Sequence, residues 1–307
     1  MHKIFIDGSA GTTGLKIVDR LSKRKDVQLI TLSEENRKDL SARKDAINSS
    51  DLTFLCLPDG AAIEAVSLVE NPNVKIIDTS TAHRTSEGWE YGFAELAGRR
   101  EKIANSKRIA NPGCHASGFI ALVEPLIKAG VISEDVSLSC FSLTGYTGGG
   151  KKMIAEYQDE NMPEFYKAPR QYGLTQTHKH LPEMSKIAGL KNMPIFCPIV
   201  APFAQGMEVS VPLFGKDVKG GIDRIKEIYK EVYNGKIVHF DDNADEAGML
   251  SANAFAGKDD MQISVFGNEE RILLVSRFDN LGKGASGAAI QNMNIMLGVD
   301  ETTGLEF

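Results

Sequence analysis

Near its start the chain runs KIFIDG, a short apolar stretch, into the glycine turn GSAGTTG at residues 8–14, and then into a segment with Leu15, Val18 and Leu21 at helical spacing. A strand that stops on glycine and continues as a helix restricts what can follow. The alternation recurs: VQLITL, LTFLCLP and VKIIDTS are apolar strands, separated by a charged stretch and by the helix-like AAIEAVSLVE. Strands with no polar face must be covered on both sides, so the first third of the chain is predicted to be a doubly wound α/β domain with a parallel sheet.

Beyond residue 114 the pattern changes. A helix is predicted from His115 to about Ala129, with Phe119, Leu122, Val123 and Leu126 as its apolar stripe and Gly130 as its stop. Longer strands follow in VSLSCFSLTG, PIFCPIVAPF, MEVSVPLF, IVHFDD and the pair MQISVF/RILLVSRF, with the amphipathic helix GIDRIKEIYKEVYNG among them. This reads as a second, α+β domain on a mostly antiparallel sheet. The expected boundary between the two falls at residues 113 and 114. A length of 307 residues suits two domains.

The glycine turn sits where a dinucleotide pyrophosphate would need it. Glycines let the backbone approach the ligand, and the helix start offers N–H groups and a positive dipole end. Gly8, Ser9, Ala10, Gly11, Thr12, Thr13 and Gly14 are therefore candidate cofactor residues, although the spacing is GxxGxxG rather than GxGxxG. After the second strand, Ser33 and Arg37, with Lys38 beside them, favour a 2′-phosphate and hence NADP, while Glu34 and Glu35 leave NAD open. In IIDTSTAHR, Asp78, Ser80 and Arg84 follow the fourth strand, where the carboxyl ends of such a sheet meet ligands.

In NPGCHASG a cysteine, Cys114, stands at the start of a helix, which favours its thiolate. Asn111 and the Pro-Gly that follows fix its approach. Cys56, Cys140 and Cys197 lie within apolar strands and read as core residues. A thiolate paired with a nicotinamide cofactor implies acyl transfer followed by reduction to an aldehyde, and that cycle calls for an acid/base such as histidine. His178 and His180, two apart in LTQTHKHLPEM and on one side if the segment is extended, are the candidates, and Glu183 after them is, like Asn111, expected against substrate. His115 adjoins the cysteine with its direction undecided; His2, His83 and His239 lack such a setting. Gly148 and Lys151, in the glycine-rich turn before Lys152, suit phosphate or carboxylate recognition.

Together, GSAGTTG, IIDTSTAHR, YGFAEL, NPGCHASG, THKHLPE and DNLGKGASGAAIQNMNIMLG resemble the shorter type of N-acetyl-gamma-glutamyl-phosphate reductase, across nearly the whole chain. That family is related to aspartate-semialdehyde dehydrogenase and, more distantly, glyceraldehyde-3-phosphate dehydrogenase. The resemblance implies NADPH-dependent reduction of N-acetyl-glutamyl 5-phosphate to the semialdehyde with phosphate release, in arginine biosynthesis. It implies Cys114 as the acyl acceptor and one of His178 and His180 as acid/base, the other orienting substrate. It places Lys283 and Gly284 near the nicotinamide, and Arg84 near the phosphate or carboxylate of the substrate. It also implies a homo-oligomer, a dimer or tetramer, with residues 1–113 as the dinucleotide-binding domain, completed by a C-terminal helix at about 285–307, and residues 114–284 as the catalytic, substrate and oligomerisation domain.

Three other readings stay open. The same chemistry could act on an aspartyl phosphate or an acetylated aminoadipyl phosphate. A thiol hydrolase would need no cofactor, and a non-catalytic nucleotide-binding module would leave Cys114 without a role. The net charge of −6 argues against nucleic acid, no segment is long and apolar enough for a membrane, and no cysteine pair has metal-site spacing, so no metal is expected. Four scattered cysteines and the lack of a signal peptide lead to an expected cytoplasmic location.

Overall fold

The computed structural model describes residues 1–307, which divide into two compact units. The first comprises Met1–Ala94, Gly98–Pro112 and Ala285–Leu305. It begins β1 (His2–Asp7), α1 (Thr12–Leu21), β2 (Val27–Ile30), α2 (Leu40–Ser49), β3 (Leu52–Leu55), α3 (Asp59–Ser67) and β4 (Lys75–Asp78). It continues through β5 (Glu90–Tyr91), α4 (Arg99–Asn105) and β6 (Arg108–Ala110). The six strands lie in the order β2-β1-β3-β4-β6-β5, every pair parallel.

Alternate residues of these strands feed two cores. Ile4 and Ile6 of β1, Phe54 of β3 and Ile77 of β4 join Ile17 and Leu21 of α1 on one face. Phe5, Leu55 and Ile76, their sequence neighbours, join Ile47 of α2 and Ala62 and Ala65 of α3 on the other. Each fully buried aliphatic contributes about 1.5–3 kcal/mol, which is why no strand here can keep a polar face. Helix α2 lies in what the sequence shows only as a charged stretch. Its N-cap Asp39 accepts from the Ala42 N–H, and its Arg43 is buried against Asp7.

The second unit comprises Glu95–Ala97, Gly113–Gly284 and Glu306–Phe307. Its elements are α5 (Cys114–Lys128), β7 (Ser139–Gly145), α6 (Gly150–Gln158), β8 (Arg170–Gln171), α7 (Leu181–Ala188), β9 (Ile195–Ala201) and β10 (Met207–Phe214). There follow α8 (Gly221–Val232), β11 (Val238–Phe240), β12 (Met261–Gly267) and β13 (Arg271–Phe278). The sheet runs β11-β12-β13-β10-β7-β9-β8, antiparallel except for β7–β9 and β11–β12.

Helix α5 is the core of this unit, and it is buried all round from His115 to Leu126 rather than along the expected stripe. One face lies so close to the sheet that a Cβ on Gly118 would come within 2.4 Å of Val209 and 2.8 Å of Ser276. Pro125 removes the N–H that would reach the Ala121 carbonyl; that oxygen instead accepts from Tyr233 at 2.7 Å, while Tyr229 donates to the Leu122 carbonyl. The final helix, α9 (Gly287–Leu297), belongs to the first unit and adds Ile290 and Met293 to the core that holds Ile17. No helix is long and apolar enough to cross a membrane.

Candidate active site

In the first unit a cavity of about 830 Å³ opens beside the glycine turn, with Gly8, Ser9, Ala10 and Gly11 in its wall. The three glycines do different work. Gly8 has φ +84° and a Cβ there would meet the Cys56 carbonyl oxygen at 2.2 Å, while one on Gly14 would meet the Gly8 carbonyl oxygen at 2.5 Å. Those two make the turn possible. At Gly11 a Cβ would have nothing nearer than 3.5 Å, so this position keeps open the ground in front of the helix. Helix α1 starts there with no side-chain cap and no acidic residue in its first turn, leaving N–H groups and a positive end for an anion. The cradle fits a dinucleotide pyrophosphate.

Of the other expected cofactor residues, Arg37 lines the cavity, whereas Thr12, Thr13, Gly14 and Ser33 do not. The Ser33 carbonyl instead accepts from the N–H groups of Asn36 and Arg37, shaping the short turn that carries Arg37. Arg37 pairs with Glu34 at 3.2 Å. Two further cations line the same cavity, Lys38 and Arg43. The second was invisible in the sequence because nothing local marks it. Arg43 lies across from β1 on α2, 3.0 Å from Asp7, whose pKa burial raises against the pull of this arginine.

At the carboxyl ends of β4 and β6, Asp78 is fully buried and organises the loop that follows. It accepts from the Ser80 N–H and hydroxyl at 2.9 and 2.8 Å and from His83 Nδ1 at 2.6 Å, with His83 stacked on Trp89. Arg84 donates to the carbonyls of Asn111 and Thr79, and Asn111 donates to the Ala285 carbonyl and accepts from Asn292. Ser80, Arg84 and Asn111 are thus three parts of one hydrogen-bonded assembly, in which His83, set aside on sequence alone, has a place.

In the second unit Cys114 is the first residue of α5, with Gly113 as the N-cap. The Gly113 N–H donates to Glu183 Oε1 at 2.8 Å, and the Gly113 carbonyl accepts from the N–H and hydroxyl of Ser117. Glu183, expected against substrate, is 1% exposed and instead anchors the backbone next to the cysteine. Gly284 lies behind the thiol: a Cβ there would stand 2.9 Å from the Cys114 Cβ. Its neighbour Lys283 is buried in an ion pair with Glu95 at 2.8 Å, which holds this turn rather than presenting a free cation.

Glu183 lies on α7, and His180 is the N-cap of that helix, so one hydrogen bond ties the histidine turn to the cysteine turn. The segment is not extended as expected. It is a turn in which the His180 N–H donates to His178 Nδ1 at 3.2 Å, with the rings 4.8 Å apart. Burial, with Lys179 adding to it, lowers the His178 pKa. His115 points into the same cluster, its ring 5.5 Å from that of His180 and 6.1 Å from that of His178. The sequence left its direction undecided because the second position of a helix can face several ways. Gly148 lies in the turn before α6, where a Cβ would meet Asn280 at 3.3 Å, and Lys151 is exposed on that helix.

Burial holds the His115 pKa at about 3, against an ordinary 6.5, with His178 reinforcing the effect. Between those values the unfolded chain takes up a proton that the folded chain refuses, so stability falls as pH drops from about 6.5 toward 3. The slope contributed is at most about 1.4 kcal/mol per pH unit. Urea unfolding of His115→Gln at several pH values in this window should show a shallower loss of stability than the parent; equal slopes would contradict a buried neutral imidazole.

Comparison with known proteins converges on one group. Residues 3–106 match the semialdehyde dehydrogenase NAD binding domain, and residues 114–280 match the semialdehyde dehydrogenase dimerisation domain. The N-acetyl-gamma-glutamyl-phosphate reductases of Brucella ovis and Brucella canis are each 47% identical to the chain, covering 96% of it and 99% of their own length. Among solved structures, aspartate semialdehyde dehydrogenase II of Vibrio cholerae has a TM-score of 0.71 at 16% identity, over 97% of this chain and 98% of that one. Aspartate semialdehyde dehydrogenase with NADP from Candida albicans has a TM-score of 0.70 at 13% identity, over 97% and 99%. At such identities the two structures speak to the fold alone.

Proposed function

Because the chain belongs to the N-acetyl-gamma-glutamyl-phosphate reductases, built on semialdehyde dehydrogenase domains, we propose that it reduces N-acetyl-L-glutamyl 5-phosphate to the 5-semialdehyde with release of phosphate, using NADPH, in arginine biosynthesis. The observation that carries the mechanism is the Glu183–Gly113 hydrogen bond, which fixes the histidine turn relative to Cys114. The Cys114 sulfur adds to the acyl carbonyl, the carbon–oxygen bond to phosphate breaks, and a thioester remains on the chain. N–H groups at the start of α5 face the oxyanion that forms in this step. His178 or His180 holds the proton that the cycle moves, and Glu183 keeps the backbone of the nucleophile still. When bound, NADPH supplies the hydride that converts the thioester to the aldehyde and frees the sulfur. Gly8, Ser9, Ala10 and Gly11 would hold its pyrophosphate, and Arg37 with Lys38 supports the 2′-phosphate over NAD. The reading carries with it a cytoplasmic location, where thiols stay reduced.

Phosphate-dependent oxidation of N-acetylglutamate semialdehyde with NADP is the test, run beside the aspartate and acetylated aminoadipate semialdehydes and beside NAD. A preference for either other aldehyde would overturn the substrate, faster turnover with NAD would overturn the cofactor, and no turnover with any would overturn the reductase.

The open face of the second sheet supports assembly with a second copy. Phe141 on β7 stands opposite Cys197 and Ser210, and it is 48% exposed; Ile195 and Phe214 on the flanking strands are 60% and 63% exposed. Apolar side chains at this density on one sheet face mark an interface. Light scattering at micromolar concentration should find at least a dimer, and a monomer there would contradict this.

A further inference from the structure

The reading above uses Cys114, the His178/His180 pair and Glu183, and leaves unexplained a chain of three polar side chains running from the core of the second unit into the histidine cluster. Ser142 on β7 is fully buried. Its hydroxyl lies 2.6 Å from His115 Nδ1, its sole hydrogen-bond partner. The other ring nitrogen, His115 Nε2, lies 2.7 Å from the hydroxyl of Tyr172. Tyr172 follows β8 and is fixed there by its own N–H, which donates to the Pro198 carbonyl at 3.0 Å.

The direction of these bonds follows from proton counting. A neutral imidazole has one N–H and one acceptor nitrogen. If Nδ1 held the hydrogen, the Ser142 hydroxyl would accept it and have nowhere in the core to donate its own, at a cost of about 1–3 kcal/mol. The arrangement that satisfies the buried end has Ser142 donating to Nδ1 and Nε2–H donating to the Tyr172 oxygen. The hydrogen of Tyr172 is then directed away from His115. Tyr172 is half-buried rather than enclosed, and its ring lies 5.9 Å from that of His178, one of the two histidines of the cysteine site.

We propose that Tyr172 is a further substrate-contacting residue of this reductase: its hydroxyl, oriented by the Ser142–His115 pair, donates a hydrogen bond to the oxygen that gathers negative charge as Cys114 adds to the acyl group. His115 is a positioning residue, acting through Tyr172. The proposal rests on the reductase reading. Two properties keep the phenol a donor throughout: burial, joined by the Cys114 charge, raises its pKa well above the ordinary value, and His115 stays neutral beside it. It transfers no proton and needs none returned.

Two measurements test it. The first is the steady-state kinetics of Tyr172→Phe, which keeps the ring and removes only the hydroxyl. It should lower kcat about 100-fold with KM moving less than about threefold, while the rate of Cys114 alkylation and the urea midpoint stay those of the parent. Parental kcat, or a loss of alkylation rate as large as the loss of kcat, would overturn the proposal. The second is the 15N spectrum of the histidine side chains, with the His115 signals assigned by their loss in His115→Gln. It should place the hydrogen on Nε2, and a hydrogen on Nδ1 would overturn the orientation argument. Absence of turnover in the parent protein would overturn the reductase reading, and the substrate contact with it, whereas the tautomer is read without any activity.

Discussion

Cys114→Ser should reduce turnover by about 10⁴-fold or more, with NADPH binding unchanged. The substitution replaces one atom with a smaller one at the first position of α5, so nothing in the glycine turn of the other unit is altered. What changes is the nucleophile. A thiolate is accessible near neutral pH at a helix start, while a serine hydroxyl in the same place needs a strong base to remove its proton in the attack. Cys56 and Cys140 cannot substitute. Burial raises Cys56 to about 12 and pushes Cys140 higher still, so neither supplies a thiolate under assay conditions. Alkylation with iodoacetamide should therefore show a fast phase that is missing in Cys114→Ser. Activity above about 1% of the parent in that variant would remove the thioester from the mechanism.

The legible and illegible parts of this protein divide by how local their causes are. The parallel sheet was readable because both of its cores are fed by consecutive residues, Ile4 and Phe5, Phe54 and Leu55, Ile76 and Ile77, which leaves no polar face to confuse the pattern. The cysteine was readable because Pro112 and Gly113 announce a helix start. Arg43 was not, since its partner Asp7 is 36 residues away and its own surroundings look like a solvated helix. The histidine pair was found for a reason that the structure replaces: the rings meet through a turn and an N-cap, not through the alternation of a strand. Glu183 and Lys283 show the same gap. A charged residue in a motif reads as a ligand for something outside the chain, yet Glu183 meets the Gly113 N–H and Lys283 meets Glu95. Tyr172 and Ser142 carry no motif at all. Only the fold brings them to the two sides of His115.

Gly11→Val should weaken NADPH binding at least about 100-fold while leaving folding and Cys114 alkylation near the parent's values. The prediction separates two reasons for a glycine that a motif cannot tell apart. At Gly8 any side chain is excluded by the fold itself, because φ is +84° and the Cys56 carbonyl oxygen would lie 2.2 Å from the new Cβ; Gly8→Ala should destabilise the protein with or without cofactor. Gly11 has ordinary extended dihedrals, φ −73° and ψ 166°, and its nearest obstacle is 3.5 Å away. A β-branched residue is therefore tolerated by the backbone, and its methyl groups project into the cavity that Gly8, Ser9 and Ala10 also line. They would stand over the free N–H groups of α1, where the pyrophosphate must come within hydrogen-bond distance of the backbone. Losing two or so charge-assisted hydrogen bonds, each worth about 1.5–3 kcal/mol, accounts for a 100-fold effect or more. Calorimetric titration with NADPH, paired with urea unfolding of the free protein, reads both quantities. Parental affinity in Gly11→Val would mean that the dinucleotide does not approach this turn, and the cofactor assignment of the first unit would have to move elsewhere in it.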